Sequence, residues 1–169
     1  MPLRNRLGTL RAFLILGLGY SVSQTVILII LRPLGLETFL HLQVSFSKDF
    51  YLQTFNAWKS QGVFLFYSLH LYPDLLHPIW YSLFLISAMA CLLKYEPAGE
   101  RLQGILILPV ISGLADYVEN ALQFVILSGK LTDTLVFTSS MASVIKWTLA
   151  AFSLVGIAIL GVRRAGILR

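Results

Sequence analysis

The sequence predicts an all-α integral membrane protein, folded as a single domain over residues 1–169 and built around a bundle of four transmembrane helices. Hydrophobic residues make up 57% of the 169 residues and charged residues only 12%. A soluble domain normally carries about 25% charged residues, so this chain has too few to cover a soluble surface. The apolar residues also occur in blocks of about 20, the length that a hydrocarbon core of ~30 Å requires.

Four apolar blocks are expected to span the membrane. The first ends where Arg32 and Pro33 interrupt the run. A signal peptide is the alternative for this block, but the apolar run resumes at Val26–Leu31 and favours a continuous span. A hydrophobic outer loop, 33–73, should separate the first two helices. The expected spans are residues 12–31, 75–93, 103–127 and 142–162.

The basic residues predict the orientation of these spans. One side of the membrane collects Arg4, Arg6, Arg11, Lys94, Arg101, Arg163, Arg164 and Arg169. The other side has Arg32, Lys48, Lys59 and Lys130, spread over a longer loop. The positive-inside rule therefore places both termini in the cytoplasm, in a plasma or inner membrane. Because the positive charges flank apolar segments, no nucleic-acid partner is expected. A single cysteine, Cys91, excludes an intramolecular disulfide.

The outer loop contains two different periodicities. Apolar and polar residues alternate over Leu40–Ser47, which is the strand period, and this segment is left open between helix and strand. Tyr51, Phe55 and Trp58 then follow at helical spacing, with Gly62 as a stop signal. The loop is too hydrophobic to project into water, so we expect it to lie on the outer membrane surface or to cap the bundle.

A polar stripe in the third span is the main functional signal. Asp116, Glu119, Asn120 and Gln123 recur at i, i+3, i+4 and i+7, on one face of a helix. An ionisable residue at membrane depth costs roughly 2.5–3.5 kcal/mol on insertion scales, which indicates a functional site. The alternative is structural hydrogen bonding between helices. Two carboxylates one turn apart cannot easily both ionise, so at least one should be protonated at neutral pH. Pro109 predicts a kink before the stripe.

Lys146 is the only basic residue well inside an expected span, about one turn from the outer end of the fourth helix. Its ammonium either pairs with Glu119 or reaches out to the headgroups. Asp116, Glu119 and Lys146 are therefore also the candidate catalytic residues.

Three residues around the start of the second span, Asp74, His77 and Tyr81, are candidates for closing the outer mouth of the site. The alternatives are Asp74 as a helix N-cap and His77 as a solvated imidazole at the interface. Gln24 in the first span is a further candidate partner of the stripe. The chain has no His-x-x-x-His, His-Glu-x-x-His, Gly-x-Ser-x-Gly or glycine-rich phosphate motif, so no metal and no cofactor is expected.

The order Asp74-x-x-x-Pro78-x-x-Tyr81, then Asp116-x-x-Glu119-Asn120, then Lys146-Trp147 resembles a group of small four-span membrane proteins of no assigned activity. This resemblance covers the chain from about Trp58 onward and implies the four-span architecture and a shared polar set. The plan of four spans with a hydrophobic outer loop is also similar to that of the sterol-isomerase and sigma-2-like proteins, without their motif pattern.

Three functions fit these observations. The first is binding of a lipid, small amphiphile or cation in a pocket lined by the stripe and Lys146, with membrane lipids as partners. The second is an intramembrane enzyme that modifies a lipid or isoprenoid with a buried carboxyl group as acid or base. The third is an accessory subunit, or a homodimer, whose stripe meets a partner helix. A stripe that faces the interior of the monomer favours a site, whereas an outward stripe favours a partner.

Overall fold

The computed structural model describes residues 2–166, and every element within that range is helical. The α-helices are α1 (Pro2–Leu7), α2 (Leu10–Leu31), α3 (Leu36–Gln43), α4 (Lys48–Ser60), α5 (Phe64–Asp74), α6 (His77–Leu93), α7 (Ile107–Leu127) and α8 (Asp133–Arg164). Two 3₁₀ segments, Arg32–Leu34 and Arg101–Leu106, precede α3 and α7. Arg169, one of the flanking charges counted above, lies outside the described residues.

Three helical segments are long and apolar enough to cross a membrane: Leu10–Leu34, Arg101–Leu127 and Asp133–Arg164. A fourth is present if α5 and α6, which are bent by 50° at their break, together form one span. Residues 2–166 thus contain helices as their only regular elements, with three to four candidate spans. α6 begins at His77, two residues after the expected start, and ends at Leu93 as expected. α8 begins at Asp133, nine residues before the expected start of the fourth helix.

The segment 33–73, expected as an outer loop, is made of helices. Leu40–Gln43 belongs to α3, in which Phe39, Leu42 and Gln43 are buried at i, i+3 and i+4. Helical burial therefore overrides the alternating pattern that left helix and strand open. The helix predicted before Gly62 is confirmed as α4, which is capped by the Ser47 hydroxyl accepting from the backbone N–H of Phe50.

Pro109 is the third residue of α7, and the backbone changes from 3₁₀ to α just before it. Proline is tolerated in the first turn of a helix because an N–H there has no intrahelical acceptor. The helix type thus changes at Leu106–Ile107, and the kink expected at Pro109 stays a prediction.

The chain divides into two compact units. Unit 1 comprises Met1–Ser21, Pro78–Leu114 and Lys146–Arg169, and unit 2 comprises Val22–His77 and Ala115–Ile145. Unit 2 holds an aromatic-rich core to which α2, α3, α4, α5, α7 and α8 contribute. Its buried members are Ile27, Leu31, Leu34, Phe39, Leu42, Tyr51, Phe55, Trp58, Tyr67, Ile126 and Val136. The indole N–H of Trp58 donates to the carbonyl of Leu34 at 3.0 Å.

Within unit 1, glycines allow α2 to approach α6 closely. A Cβ atom added to Gly19 would lie 2.3 Å from the Trp80 ring, and one added to Gly17 would lie 3.1 Å from the Phe84 ring. Small residues at a helix contact permit this spacing, which provides van der Waals packing in an apolar solvent. Gly17 and Gly19 thus lie where the rings of Phe84 and Trp80 pack against the backbone of α2.

Gly19→Ala is expected to destabilise the protein by about 1–3 kcal/mol, since the added methyl group would force the Trp80 ring or the backbone to move. Gly161→Ala is the matched control, because Gly161 is also helical and has open space around its Cβ position. That control should be neutral or slightly stabilising. Equal melting temperatures for the two variants in detergent would contradict the close contact.

Candidate functional site

The polar face of α7 is buried. Its polar side chains have exposed fractions of 3% or less: Ser112, Asp116, Glu119, Asn120 and Gln123. The opposite face is open, with Leu114 at 59% and Val118 at 49%. A helix that exposes its apolar face and buries its polar face has the pattern of a membrane helix, with the polar groups directed to the interior. The orientation predicted for the stripe is therefore confirmed.

Gln123 is the centre of a hydrogen-bond network within unit 2. Its amide nitrogen donates to the Tyr51 phenol at 3.0 Å and to the Ser139 hydroxyl at 2.8 Å. Its amide oxygen accepts from the phenol of Tyr67. This one side chain therefore joins α4, α5, α7 and α8, and it uses both amide hydrogens and the carbonyl oxygen.

Glu119 lies one helical turn before Gln123 and is 1% exposed. One of its carboxyl oxygens accepts a hydrogen bond of 2.8 Å from the amide nitrogen of Gln43, at the end of α3. The adjacent Asn120 donates to the backbone carbonyl of Asp74 at 3.1 Å. The stripe thus contacts α3, α4, α5 and α8 within unit 2, and these contacts fix the positions of its carboxyl and amide groups.

The two tyrosines are held as neutral phenols beside the stripe. Burial raises the pKa of Tyr51 above its ordinary value of 10.0, and the nearby Glu119 acts in the same direction, while hydrogen bonding by Gln123 opposes them. Desolvation disfavours the charged phenolate, so Tyr51 keeps its proton through the neutral range. Tyr67 packs against Phe39 and His70, and its backbone carbonyl contacts the Nδ1 atom of that histidine.

Serines on the first half of α8 form a second polar surface in unit 2. Ser139, Ser140 and Ser143 are fully buried. The Ser140 hydroxyl accepts from the backbone N–H of Phe46 at 3.4 Å, next to a positive φ of 53° at that residue. Because hydroxyl groups can satisfy backbone and side-chain donors, this serine surface allows polar groups to stay buried.

The sequence predicts Lys146 about one turn from the outer end of the fourth helix, but in the structure it lies farther from the start of α8. It lies thirteen residues after Asp133, or about 20 Å along the axis at 1.5 Å per residue. Its side chain is 6% exposed, and its ammonium lies 5.3 Å from the centroid of the Trp147 ring. The ~20 Å to Asp133 exceeds the reach of a lysine stem, so the ammonium does not extend to the start of α8. Its reaching out to the headgroups stays a prediction. Lys146 belongs to unit 1, and its coupling to the carboxyl pair stays a prediction.

The residues expected at the outer mouth lie at the end of α5 and in the first turns of α6. Asp74 is the last residue of α5, so the N-cap interpretation is wrong. His77 is partly buried and forms a 2.6 Å hydrogen bond with Ser23, so it is not a fully solvated imidazole. Tyr81 lies in unit 1, where its hydroxyl is 3.1 Å from that of Ser112.

Gln24, the remaining candidate, is partly buried in α2. Within residues 2–166 it has no hydrogen bond to the stripe. Over the same range, no cluster of three or more histidine, cysteine, aspartate or glutamate side chains could hold a metal ion.

Four members of this network were not predicted from the sequence: Gln43, Tyr51, Tyr67 and Ser139. Gln43 and the tyrosines belong to the segment that is expected to lie on the outer membrane surface or to cap the bundle. The helical spacing of Ser139, Ser143 and Lys146 could have placed Ser139 on the same helix face as Lys146. It did not, because the fourth helix is expected to begin only at residue 142.

No known protein family, curated protein or solved structure matches this chain. Its function is therefore argued from the geometry of the site.

A protonated carboxyl group is expected on α7 at neutral pH, since Asp116 and Glu119 are 2% and 1% exposed one turn apart. Infrared difference spectroscopy should show its band, and Asp116→Asn or Glu119→Gln should remove it. Glu100→Gln, at an exposed position, is the control and should leave the band unchanged. A spectrum without such a band in the unmodified protein would show that both groups are ionised.

Proposed function

We propose that this chain is a multi-pass membrane protein with four spans and cytoplasmic termini that binds the polar head of a lipid or small amphiphile at the buried stripe of α7. The observation that carries the proposal is Glu119, a carboxyl side chain 1% exposed on a helix long and apolar enough to span a membrane. Burying such a group is costly, and a membrane protein that keeps one generally uses it for binding or chemistry.

The groups on the stripe favour a head that donates hydrogen bonds. The carboxyl oxygens of Asp116 and Glu119 are acceptors. In a medium of low dielectric, an acceptor-rich site attracts an ammonium or hydroxyl group more strongly than it would in water. An amine- or hydroxyl-bearing amphiphile is therefore the ligand class that this chemistry fits best, and a carboxylate-bearing one would be repelled.

The burial of the stripe also distinguishes binding at an internal site from docking of a partner helix. A stripe that served as the docking face of a partner helix would be open in the isolated chain, and here the apolar face is the open one. An internal site is thus better supported than an accessory subunit. A lipid- or isoprenoid-modifying enzyme would use the same carboxyl groups on the same bound molecule, and it would be recognised by a chemical change in the ligand.

The test compares two single-chain amphiphiles of equal length, one ending in an amine and one in a carboxylic acid, at the same mole fraction in the detergent micelle. The amine should raise the melting temperature of the protein, because a ligand that binds the folded state stabilises it by mass action. The acid should have no such effect. Glu119→Gln should lose the response to the amine, and Glu100→Gln should keep it.

Two results would overturn the proposal. One is an equal response to both amphiphiles, which would indicate a detergent effect without a specific site. The other is an unchanged amine response in Glu119→Gln, once that variant has been shown to fold. Mass spectrometry of the recovered amphiphile would reveal turnover and so identify the enzyme alternative.

A further inference from the structure

A small basic pocket lies in unit 1. It has a volume of about 250 Å³ and is formed by the end of α6, the turn that follows and the end of α8. Its lining residues are Leu92, Tyr95, Glu96, Pro97, Leu160, Arg163 and Arg164. We propose that this pocket binds a phosphate group at the membrane surface, and that the headgroup of an anionic phospholipid supplies it.

Both arginines of the pocket are held in place. An Nη atom of Arg163 lies 3.3 Å from a carboxyl oxygen of Glu96, whose side chain is only 8% exposed. The guanidinium carbon of Arg164 lies 3.9 Å from the centroid of the Tyr95 ring. Arginines restrained in this way lose less conformational freedom on binding than free surface arginines do.

The restraints leave hydrogen-bond donors for a ligand. Stacking on Tyr95 engages the flat face of the Arg164 guanidinium, so the N–H groups in its plane can still donate. The ion pair with Glu96 engages one edge of Arg163, whose guanidinium has five N–H donors in all. Planar donor forks of this type bind phosphate oxygens in a bidentate manner.

Charge and size also match an anionic headgroup. Two arginines and one glutamate line the pocket, and the exposed Lys94 lies next to Tyr95 in the turn. The pocket therefore keeps a net positive charge. Drug-sized ligands take pockets of roughly 300–1,000 Å³, so a pocket of 250 Å³ suits a headgroup and not a whole lipid.

The position of the pocket favours a lipid as the source of the phosphate. Arg163 and Arg164 close the candidate span Asp133–Arg164, so a membrane surface is expected at this level. Leu92 and Leu160 supply an apolar wall on which a glycerol and acyl chain can lie. Basic pockets at the ends of transmembrane helices bind anionic headgroups in this way.

The experiment measures lipid binding to the delipidated protein by native mass spectrometry, with phosphatidylglycerol and phosphatidylcholine of identical acyl chains. Arg164→Lys keeps the charge but removes the planar fork and its stacking on Tyr95. It should weaken phosphatidylglycerol binding about tenfold, the effect of losing roughly 1.4 kcal/mol of charge-assisted hydrogen bonding. Arg101→Lys, the same exchange at another exposed arginine, should leave binding unchanged.

Tyr95→Leu is a second variant, which removes the stacking surface and keeps every charge. It should weaken phosphatidylglycerol binding in the same direction as Arg164→Lys while the melting temperature stays near that of the parent. If Arg164→Lys binds phosphatidylglycerol as well as the parent protein does, charge alone holds the lipid and the proposal is overturned. Equal losses for the lysine variants at positions 101 and 164 would mean an effect of guanidinium groups in general, outside this pocket, and would overturn it as well. So would equal binding of the two lipids by the parent protein.

Inorganic phosphate distinguishes the two sources of the ligand. If phosphate in millimolar excess leaves bound phosphatidylglycerol in place, a lipid headgroup is the ligand. If phosphate displaces the lipid and its own binding depends on Arg164, the pocket is a phosphate site whose lipid assignment is wrong. The lipid and phosphate experiments both use the full chain in the same detergent, so the fold and the micelle do not differ between them.

Discussion

Replacing Gln123 by leucine is expected to lower the free energy of unfolding by about 3–6 kcal/mol. Leucine fills a similar volume, but Tyr51, Tyr67 and Ser139 would each lose a hydrogen-bond partner in a buried setting. A buried polar group left without a partner costs roughly 1–3 kcal/mol, and this applies most directly to the Tyr67 phenol. Tyr51 and Ser139 each lose one further hydrogen bond, while Tyr51 keeps its contacts with Ser139 and Ser140. The loss should therefore be among the largest that a single substitution produces.

Equilibrium unfolding in mixed micelles would measure this loss, with Gln53→Leu as the matched control at an exposed position of α4. The double variant Gln123→Leu with Tyr67→Phe should recover part of the loss, because it removes a donor that the single variant leaves unsatisfied. If Gln123→Leu is as stable as the control, the network does not hold α4, α5 and α8 to α7.

Glu119→Leu should cost about 2–4 kcal/mol, whereas Glu119→Gln should cost much less. Leucine leaves the amide nitrogen of Gln43 without its acceptor at 2.8 Å. Glutamine keeps the shape of the side chain and an acceptor oxygen, so that hydrogen bond can persist. The difference between the two variants isolates the hydrogen bond from the volume of the side chain.

Glu100→Leu and Glu100→Gln repeat both exchanges at an exposed position and should each change stability by less than about 0.5 kcal/mol. Equal, large losses for the two variants at position 119 would indicate that an ionised carboxylate is essential to the fold. Small losses for both would mean that the hydrogen bond between Glu119 and Gln43 contributes little to the stability of unit 2. Either result would redirect the search for the ligand.

The sequence by itself determined the helical class and the main polar surface. Apolar run length gave the ends of α2 at Leu31 and α7 at Leu127, because span length and helix breakers act over neighbouring residues. The spacing of Asp116, Glu119 and Gln123 was enough to place them on one face, since helical geometry fixes this without any partner. Their burial followed from the same pattern.

The tertiary structure alone decided what the stripe meets. Gln43 contacts Glu119 across 76 residues of chain, and Tyr51 contacts Gln123 across 72. Such contacts depend on how the helices of segment 33–73 pack, and no local pattern specifies that packing. The start of α8 at Asp133 was hidden for a related reason. Its first turns are rich in serine and threonine, which lowers the hydropathy there. The buried Ser139 and Ser140 accept hydrogen bonds from Gln123 and Phe46, which lie elsewhere in the chain.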